Sequence, residues 1–230
     1  MNISVHNKTE DYNTYRAARV KSLFNPERGN EFILSAEIPL DGDWRLGLVV
    51  GPSGTGKTSI GRKVFGEDKI IDLYSGWPSD APIVDAIGPD KDFNAVTGSL
   101  AAVGLGDVPA WLRPFHALSN GQQFRAGLAR VLCSDAPEVV IDEFTSVVDR
   151  QIAKIGALAF GKSWARADGR RCVLLSCHYD IIEWLSPDWV FDTRTGESKK
   201  KANLPADQKL TSKFGRSTQV IGSTLSLITI

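Results

Sequence analysis

Gly51-Pro52-Ser53-Gly54-Thr55-Gly56-Lys57-Thr58 matches G-x-x-x-x-G-K-[ST] and follows Trp44-Arg45-Leu46-Gly47-Leu48-Val49-Val50, an apolar run long enough for a buried strand. Strand, loop and helix in that order spell a phosphate-binding turn. Glycines at 51, 54 and 56 let backbone N–H groups converge on phosphate oxygens with no Cβ in the way. The helix expected from Ser59 to Phe65 aims the positive end of its dipole at the same point. In such a loop Lys57 reaches the β- and γ-phosphates, and Thr58 supplies a hydroxyl to Mg²⁺. The whole segment Gly51, Pro52, Ser53, Gly54, Thr55, Gly56, Lys57 and Thr58 is therefore the candidate nucleoside triphosphate site. A chance glycine-rich turn is the alternative, and the ordered flanking elements argue against it.

Downstream, Val139-Val140-Ile141 is a short β-branched run with Asp142-Glu143 at its end. Two adjacent carboxylates repel, so a partly buried pair calls for a cation or a reaction; a surface turn with two solvated acids is the competing reading. After a phosphate loop, Asp142 is the candidate Mg²⁺ ligand and Glu143 the candidate base that orients or deprotonates water. Between loop and strand lies Leu118-Ser119-Asn120-Gly121-Gln122, ahead of Phe124, Leu128, Val131 and Leu132 at helical spacing. That spacing predicts a helix from Gln122 to Ser134 with Ser119 at its N-cap, where an anion is favoured.

Leu118 to Gln122, followed by Gln123, Phe124 and Arg125, resembles the signature of the ABC ATPases, usually Leu-Ser-Gly-Gly-Gln, with Asn120 in place of one glycine. Ser146-Val147-Val148-Asp149 resembles the family's D-loop, and Ser176-Cys177-His178, closing the apolar run Cys172 to Leu175, resembles its switch-histidine strand. All five motifs stand in family order. The resemblance implies an α/β P-loop NTPase of ABC ATPase type, with a mixed sheet core and a reduced helical subdomain at about 76–135. It implies that Ser119, Asn120, Gly121 and Gln122 face the γ-phosphate held by the other subunit, which makes the protein a homodimer sandwiching two ATP. Asp149 becomes the D-loop residue and His178 the γ-phosphate sensor. Asn120 is expected to replace glycine through its tolerance of positive φ. A metal site from Cys172, Cys177 and His178 is disfavoured, since side chains alternate along one strand.

One family element is missing. Transporter ATPases carry a glutamine between phosphate loop and signature that contacts Mg²⁺ and the membrane partner, but no Gln occurs from Gly51 to Gly121. Pro82-Ile83-Val84-Asp85-Ala86-Ile87 looks like the stretch that follows it, which puts Tyr74 to Asp80 in its place. With the short linker from Thr58 to Leu118, this favours a non-transport branch, similar to ABC ATPases found alone or fused to a predicted acetyltransferase domain. The expected activity is Mg-dependent ATP hydrolysis not coupled to a membrane permease. An ATP-binding subunit of a transporter and a non-hydrolytic ATP-gated scaffold, the latter on nucleic acid among other supports, are the alternatives.

The 230 residues, 42% apolar and 23% charged with zero net charge, suit one globular unit and give no basic field for nucleic acid or membrane. Cys133, Cys172 and Cys177 sit in apolar settings and read as reduced core thiols. With no bilayer-length apolar run and no signal-peptide pattern, the expected location is cytoplasmic. The domain is expected to span 1–196, with strands at Ile3–Val5, Phe32–Ile38 and Trp189–Asp192, and a helix within Tyr12–Leu23. Ala95, Leu100 and Val103 are the apolar positions of the small helical part, and Trp164 and Trp184 are core or interface aromatics. Phe24 is the first candidate to stack on adenine, ahead of Phe32 and Tyr15, with a plain core role as the alternative. Residues 197–230, opening with Lys199-Lys200-Lys201, read as a solvated tail, and Val220 to Ile230 as an added edge strand or partner-binding segment.

Overall fold

Leu46–Val50, the run before the glycine loop, is buried at every position because it lies inside a sheet covered on both faces. The computed structural model describes residues 2–8, 12, 14–24, 31–167 and 169–201, with side chains at 12, 14–23, 37–167 and 169–201. The chain begins with β1 (Asn2–Lys8), α1 (Tyr15–Phe24) and β2 (Glu31–Glu37), then enters β3 (Leu46–Val50), α2 (Lys57–Phe65) and β4 (Ile70–Ile71). Short helices α3 (Ile83–Ala86), α4 (Phe93–Ala102) and α5 (Val108–Trp111) lead to α6 (Asn120–Cys133). Then come β5 (Glu138–Ile141), α7 (Arg150–Trp164), β6 (Arg171–Ser176), α8 (Ile181–Leu185), β7 (Trp189–Asp192) and β8 (Glu197–Lys200).

The main sheet has the order β4-β5-β6-β3-β7-β8, and β1 and β2 form a separate antiparallel pair. Neighbours from β4 to β7 are parallel, whereas β8 returns antiparallel to β7, so the sheet is mixed. The order brings β6 between β3 and β5, so the segments after these three strands emerge side by side at one end of the sheet. Side-chain alternation divides the core in two. Leu46, Leu48, Val50, Val139, Ile141, Cys172 and Leu174 pack with α4, α6, α7 and α8 on one face. Val49, Val140, Val173 and Leu175 meet Ile38, Trp44, Ile60 and Trp189 on the other. This two-sided burial explains why the strands read as continuous apolar runs. Among the described residues no helix is long and apolar enough to cross a membrane.

Several boundaries differ from the sequence expectation. Helix α2 starts at Lys57, and α6 at Asn120, each two residues earlier than expected. In α4 the Asp92 side chain caps the helix by accepting from the Ala95 N–H, and this phase turns Val96, Leu100 and then Val103 inward. Ala95, expected on the buried face, is exposed. Lys199 and Lys200 belong to β8, with Lys199 opposite Val190 and the Ser198 hydroxyl donating to the Glu37 carbonyl at 2.5 Å. A lysine-bearing edge strand also discourages pairing with another sheet. The Val220–Ile230 expectation lies outside the described residues.

Candidate functional site

The Gly51–Thr58 loop leaves the C-terminal end of β3, where ligands bind in open α/β sheets. Lys57 is 7% exposed, and its Nζ donates to the carbonyls of Gly51 and Pro52 at 3.0 and 2.9 Å, so the cation is held across the mouth of the loop. Thr193, just past β7, closes the loop from the side. Its N–H donates to the Val50 carbonyl at 2.8 Å, and its hydroxyl lies 2.5 Å from that of Thr55. A Cβ on Gly51 would fall 1.9 Å from the Thr193 hydroxyl, so this close approach requires glycine. Gly54 and Gly56 have positive φ, and Ser53 and Pro52 lie exposed at the loop's rim.

Asp142 follows β5 and comes to the same end. Its Oδ2 accepts from the Thr58 hydroxyl at 2.9 Å, and its Oδ1 accepts from the Glu143 N–H at 2.9 Å. The pair of oxygens on Thr58 and Asp142 fits a hard cation that completes its shell from phosphate and water. Among the described residues no three His, Cys, Asp or Glu side chains form a metal cage of their own. Glu143 is exposed at φ 50, with its carboxylate accepting from the Ser146 hydroxyl at 2.6 Å. The turn is tied to β6, because the Phe144 N–H donates to the Leu175 carbonyl and the Ser176 hydroxyl to the Phe144 carbonyl, at 2.9 and 2.8 Å.

His178 lies just beyond β6, half-buried, with Nδ1 3.3 Å from the Thr145 hydroxyl. Burial, and next the Arg150 cation, lower its pKa from 6.5, against the opposing pull of Asp180 and Glu143. It is therefore neutral near pH 7. Cys177, expected as a core thiol, is only half-buried, with Sγ 3.7 Å from His178 Nδ1; Cys133 and Cys172 are buried, and all three are free.

The signature stretch stands apart from this cluster. Ser119 and Gln122 form a capping box at the start of α6, with Gln122 also donating to Asp107, and neither bonds to the Gly51–Thr58 loop. Ser119 and Asn120 are exposed. Asn120 does not take positive φ: it is the first residue of a right-handed helix, where a side chain meets no steric penalty, so the expected αL explanation is replaced. Gly121 is the position that needs a small residue, since a Cβ there would lie 2.7 Å from Ile152 of α7. Asp149 caps α7, accepting from the N–H groups of Gln151 and Ile152 at 3.0 Å each. The structure thus gathers Lys57, Thr58, Asp142, Glu143 and His178 around one sheet end and leaves Ser119 on a separate surface. Phe24 belongs to α1, but its side chain, like that of Phe32, lies outside the described residues; Tyr15 is 78% exposed.

Sequence reasoning missed Thr193, Thr145, Arg150 and Arg130. The first could have been found from its place at the end of a parallel strand, where active-site loops gather. Arg130 of α6 donates to the carbonyls of Asp72, Ser75 and Gly76 and lies over Trp77, which stacks on Phe115 at 4.3 Å. The segment expected to replace the glutamine loop is thereby tied to the helical part. A cleft of about 430 Å³ lined by Arg45, Lys162, Trp164, Trp184 and Lys201 opens at the opposite end of the sheet, away from the glycine loop.

This combination of sheet order, loop and acidic strand end defines a P-loop NTPase fold. No family model matches the chain. It is 31% identical over 162 residues to the cytochrome c biogenesis ATP-binding export protein CcmA of Rhodospirillum rubrum, spanning 58% of this chain and 68% of that protein. It is also 31% identical over 153 residues to the protein of the same name from Mesorhizobium japonicum, spanning 54% of this chain and 75% of the relative. The ATP-binding cassette MJ0796, in a dimeric post-hydrolysis state bound to ADP and Pi, shares the fold with a TM-score of 0.57 at 14% identity, over 87% of this chain and 99% of that one. The chain belongs to the ABC ATPase family, as an ATP-binding cassette domain.

Proposed function

We propose that the protein hydrolyses MgATP as a nucleotide-sandwich homodimer that works without a membrane permease. The observation that carries this reading is the division of the expected machinery between two surfaces. Lys57, Thr58, Asp142, Glu143 and His178 converge at one sheet end, while the Ser119 capping box faces outward from α6. A second copy, turned head to tail, supplies the missing signature. In each half the loop amides and Lys57 would hold the phosphates, and Thr58 with Asp142 would hold Mg²⁺, whose charge would offset that of the phosphates. Glu143 accepts a proton from the attacking water. His178 and the Ser119 of the second copy contact the γ-phosphate. Phe24 is the proposed adenine contact, and the cytoplasm is the proposed location.

Independence from a permease is supported by the absence of Gln between Gly51 and Gly121, and by Arg130 fastening the replacing segment. The curated relatives favour a second reading, since they are named as ATP-binding export proteins. Recovery of the native-level protein with an integral membrane complex would promote that reading; recovery without one supports the first. Steady-state turnover separates both from a non-hydrolytic scaffold. Glu143→Gln keeps the side chain's shape but removes the base, so hydrolysis is expected to slow at least ~100-fold while ATP binding survives. A Glu143→Gln protein with undiminished turnover rejects the assignment of the base.

A further inference from the structure

Thr145, Arg150 and Asp180 form a continuous polar chain that ends on His178. Arg150, the first residue of α7, donates through Nε to Asp180 Oδ2 at 3.0 Å and through Nη2 to Asp180 Oδ1, and its guanidinium lies 5.0 Å from the Trp184 ring centre. This fork leaves Nη1 to reach the Thr145 hydroxyl at 3.4 Å. The same hydroxyl is 3.3 Å from His178 Nδ1. Both contacts are long, but the hydroxyl has little freedom. Thr145 is fully buried and held at φ 68, a conformation rare for β-branched residues, which the surrounding turn imposes.

A guanidinium only donates, so the Thr145 oxygen accepts from Arg150 and keeps one proton to place. Among the described residues its other partner is His178 Nδ1. A hydroxyl oxygen accepts up to twice, so Thr145 could take protons from both Arg150 and Nδ1. Its own buried proton would then have no acceptor among the described residues, which decides the direction. If Nδ1 accepts, the ring proton must sit on Nε2. A phosphate oxygen takes only donors, so this is the form of a neutral histidine that serves a phosphate contact.

We propose that Arg150 is a positioning residue for His178: it directs the Thr145 hydroxyl proton onto Nδ1 and holds the imidazole as the Nε2–H tautomer. The use of that tautomer in turnover rests on the proposed γ-phosphate contact, whereas the tautomer itself is a property of the chain alone. The lowered His178 pKa, set first by burial and next by Arg150 against the pull of Asp180 and Glu143, favours the neutral ring that a single tautomer requires. Cys177 is the competing source of the proton, with Sγ 3.7 Å from Nδ1, but a thiol is the weaker donor.

The test is long-range ¹H–¹⁵N spectroscopy of the full chain without nucleotide, labelled in its histidine rings and assigned with His178→Ala. Wild type is expected to show an unprotonated Nδ1 and a protonated Nε2 at His178. Thr145→Val removes the hydroxyl at nearly constant shape, and Arg150→Met keeps an apolar stem over Trp184; both are expected to give mixed tautomers. In both, kcat for ATP should fall about tenfold with KM little changed. Thr145→Ser and Cys177→Ala should retain the wild-type tautomer. Should Thr145→Val fail to fold, Arg150→Met and Thr145→Ser carry the test. A wild-type ring protonated on Nδ1, an unchanged tautomer in Arg150→Met, or a loss of the tautomer in Cys177→Ala overturns the proposal. Undiminished ATPase activity in His178→Ala instead removes the γ-phosphate reading and leaves the ring measurement standing.

Discussion

Lys57 is a buried cation whose nearest oxygens are uncharged carbonyls of its own loop, an arrangement that leaves it ready for anionic phosphate. Hydrogen bonds to charged groups are worth about 1.5–3 kcal/mol, so Lys57→Ala is expected to weaken ATP binding roughly 10- to 100-fold with the fold retained. Calorimetric titration with MgATP, alongside circular dichroism, checks both parts. His178 makes a prediction of opposite chemistry. Its folded pKa lies below the 6.5 of the unfolded chain, so between those two values the unfolded state binds more protons. Its contribution to stability is therefore complete above about pH 6.5 and is lost as pH falls through the folded value. Urea midpoints measured from pH 7.5 downward should drop more steeply for wild type than for His178→Gln, and parallel curves count against a depressed pKa. Both residues were legible from motif position. Thr193 offered only its place at a strand end, and Arg150 no signal at all, because no periodicity or motif in the sequence brings a residue after β7 onto Gly51, or one after Asp149 onto Asp180.

Helices α6 and α7 carry the exposed signature and the Asp149 cap on their N-terminal ends, so the packing between them sets the relation of the two. Gly156 on α7 faces Phe124 on α6, and a Cβ there would lie 2.5 Å from the buried ring. In a free helix Gly→Ala gains about 1 kcal/mol, whereas overpacking a core costs about 1–3 kcal/mol. Phe124 is wedged against Phe144 at 5.7 Å and cannot swing away cheaply, so Gly156→Ala is expected to destabilise the protein despite better helix propensity. A stabilised variant in chemical denaturation would show that the two helices separate easily. Element type was readable here from spacing, and element edges less so. Asn120 was expected to need left-handed backbone because it replaces a glycine, but the Ser119 capping box moves the helix start to include it. Ala95 and Val96 likewise exchanged places because the Asp92 cap sets the phase of α4.

At the scale of the whole molecule, Val147 beside Asp149 is 51% exposed, and Val108 and Leu112 in the stretch before Ser119 are 53% and 71% exposed. In the proposed dimer these apolar side chains are near the joint. Glu143→Gln is expected to accumulate as a dimer with MgATP, read by size exclusion with light scattering. Adding Ser119→Arg places a bulky cation on the signature face and should return the protein to monomer while ATP still binds at Lys57. A Glu143→Gln protein that binds ATP yet remains monomeric at micromolar concentration removes the sandwich mechanism and leaves a P-loop ATPase of another working form.

The sequence by itself made legible the class of fold and the residues that gather at the sheet end, because strand, glycine loop, helix cap and acidic strand end are all local patterns of spacing and side-chain type. The contacts that hold these pieces in register were decided only by tertiary structure. Thr193 meets Thr55 across 138 residues, Arg130 ties down Asp72 across 58, and Arg150 clamps Asp180 across 30. Each is a polar side chain whose partner is chosen by the order of strands in the sheet, and strand order leaves no period in the chain for a local pattern to reveal.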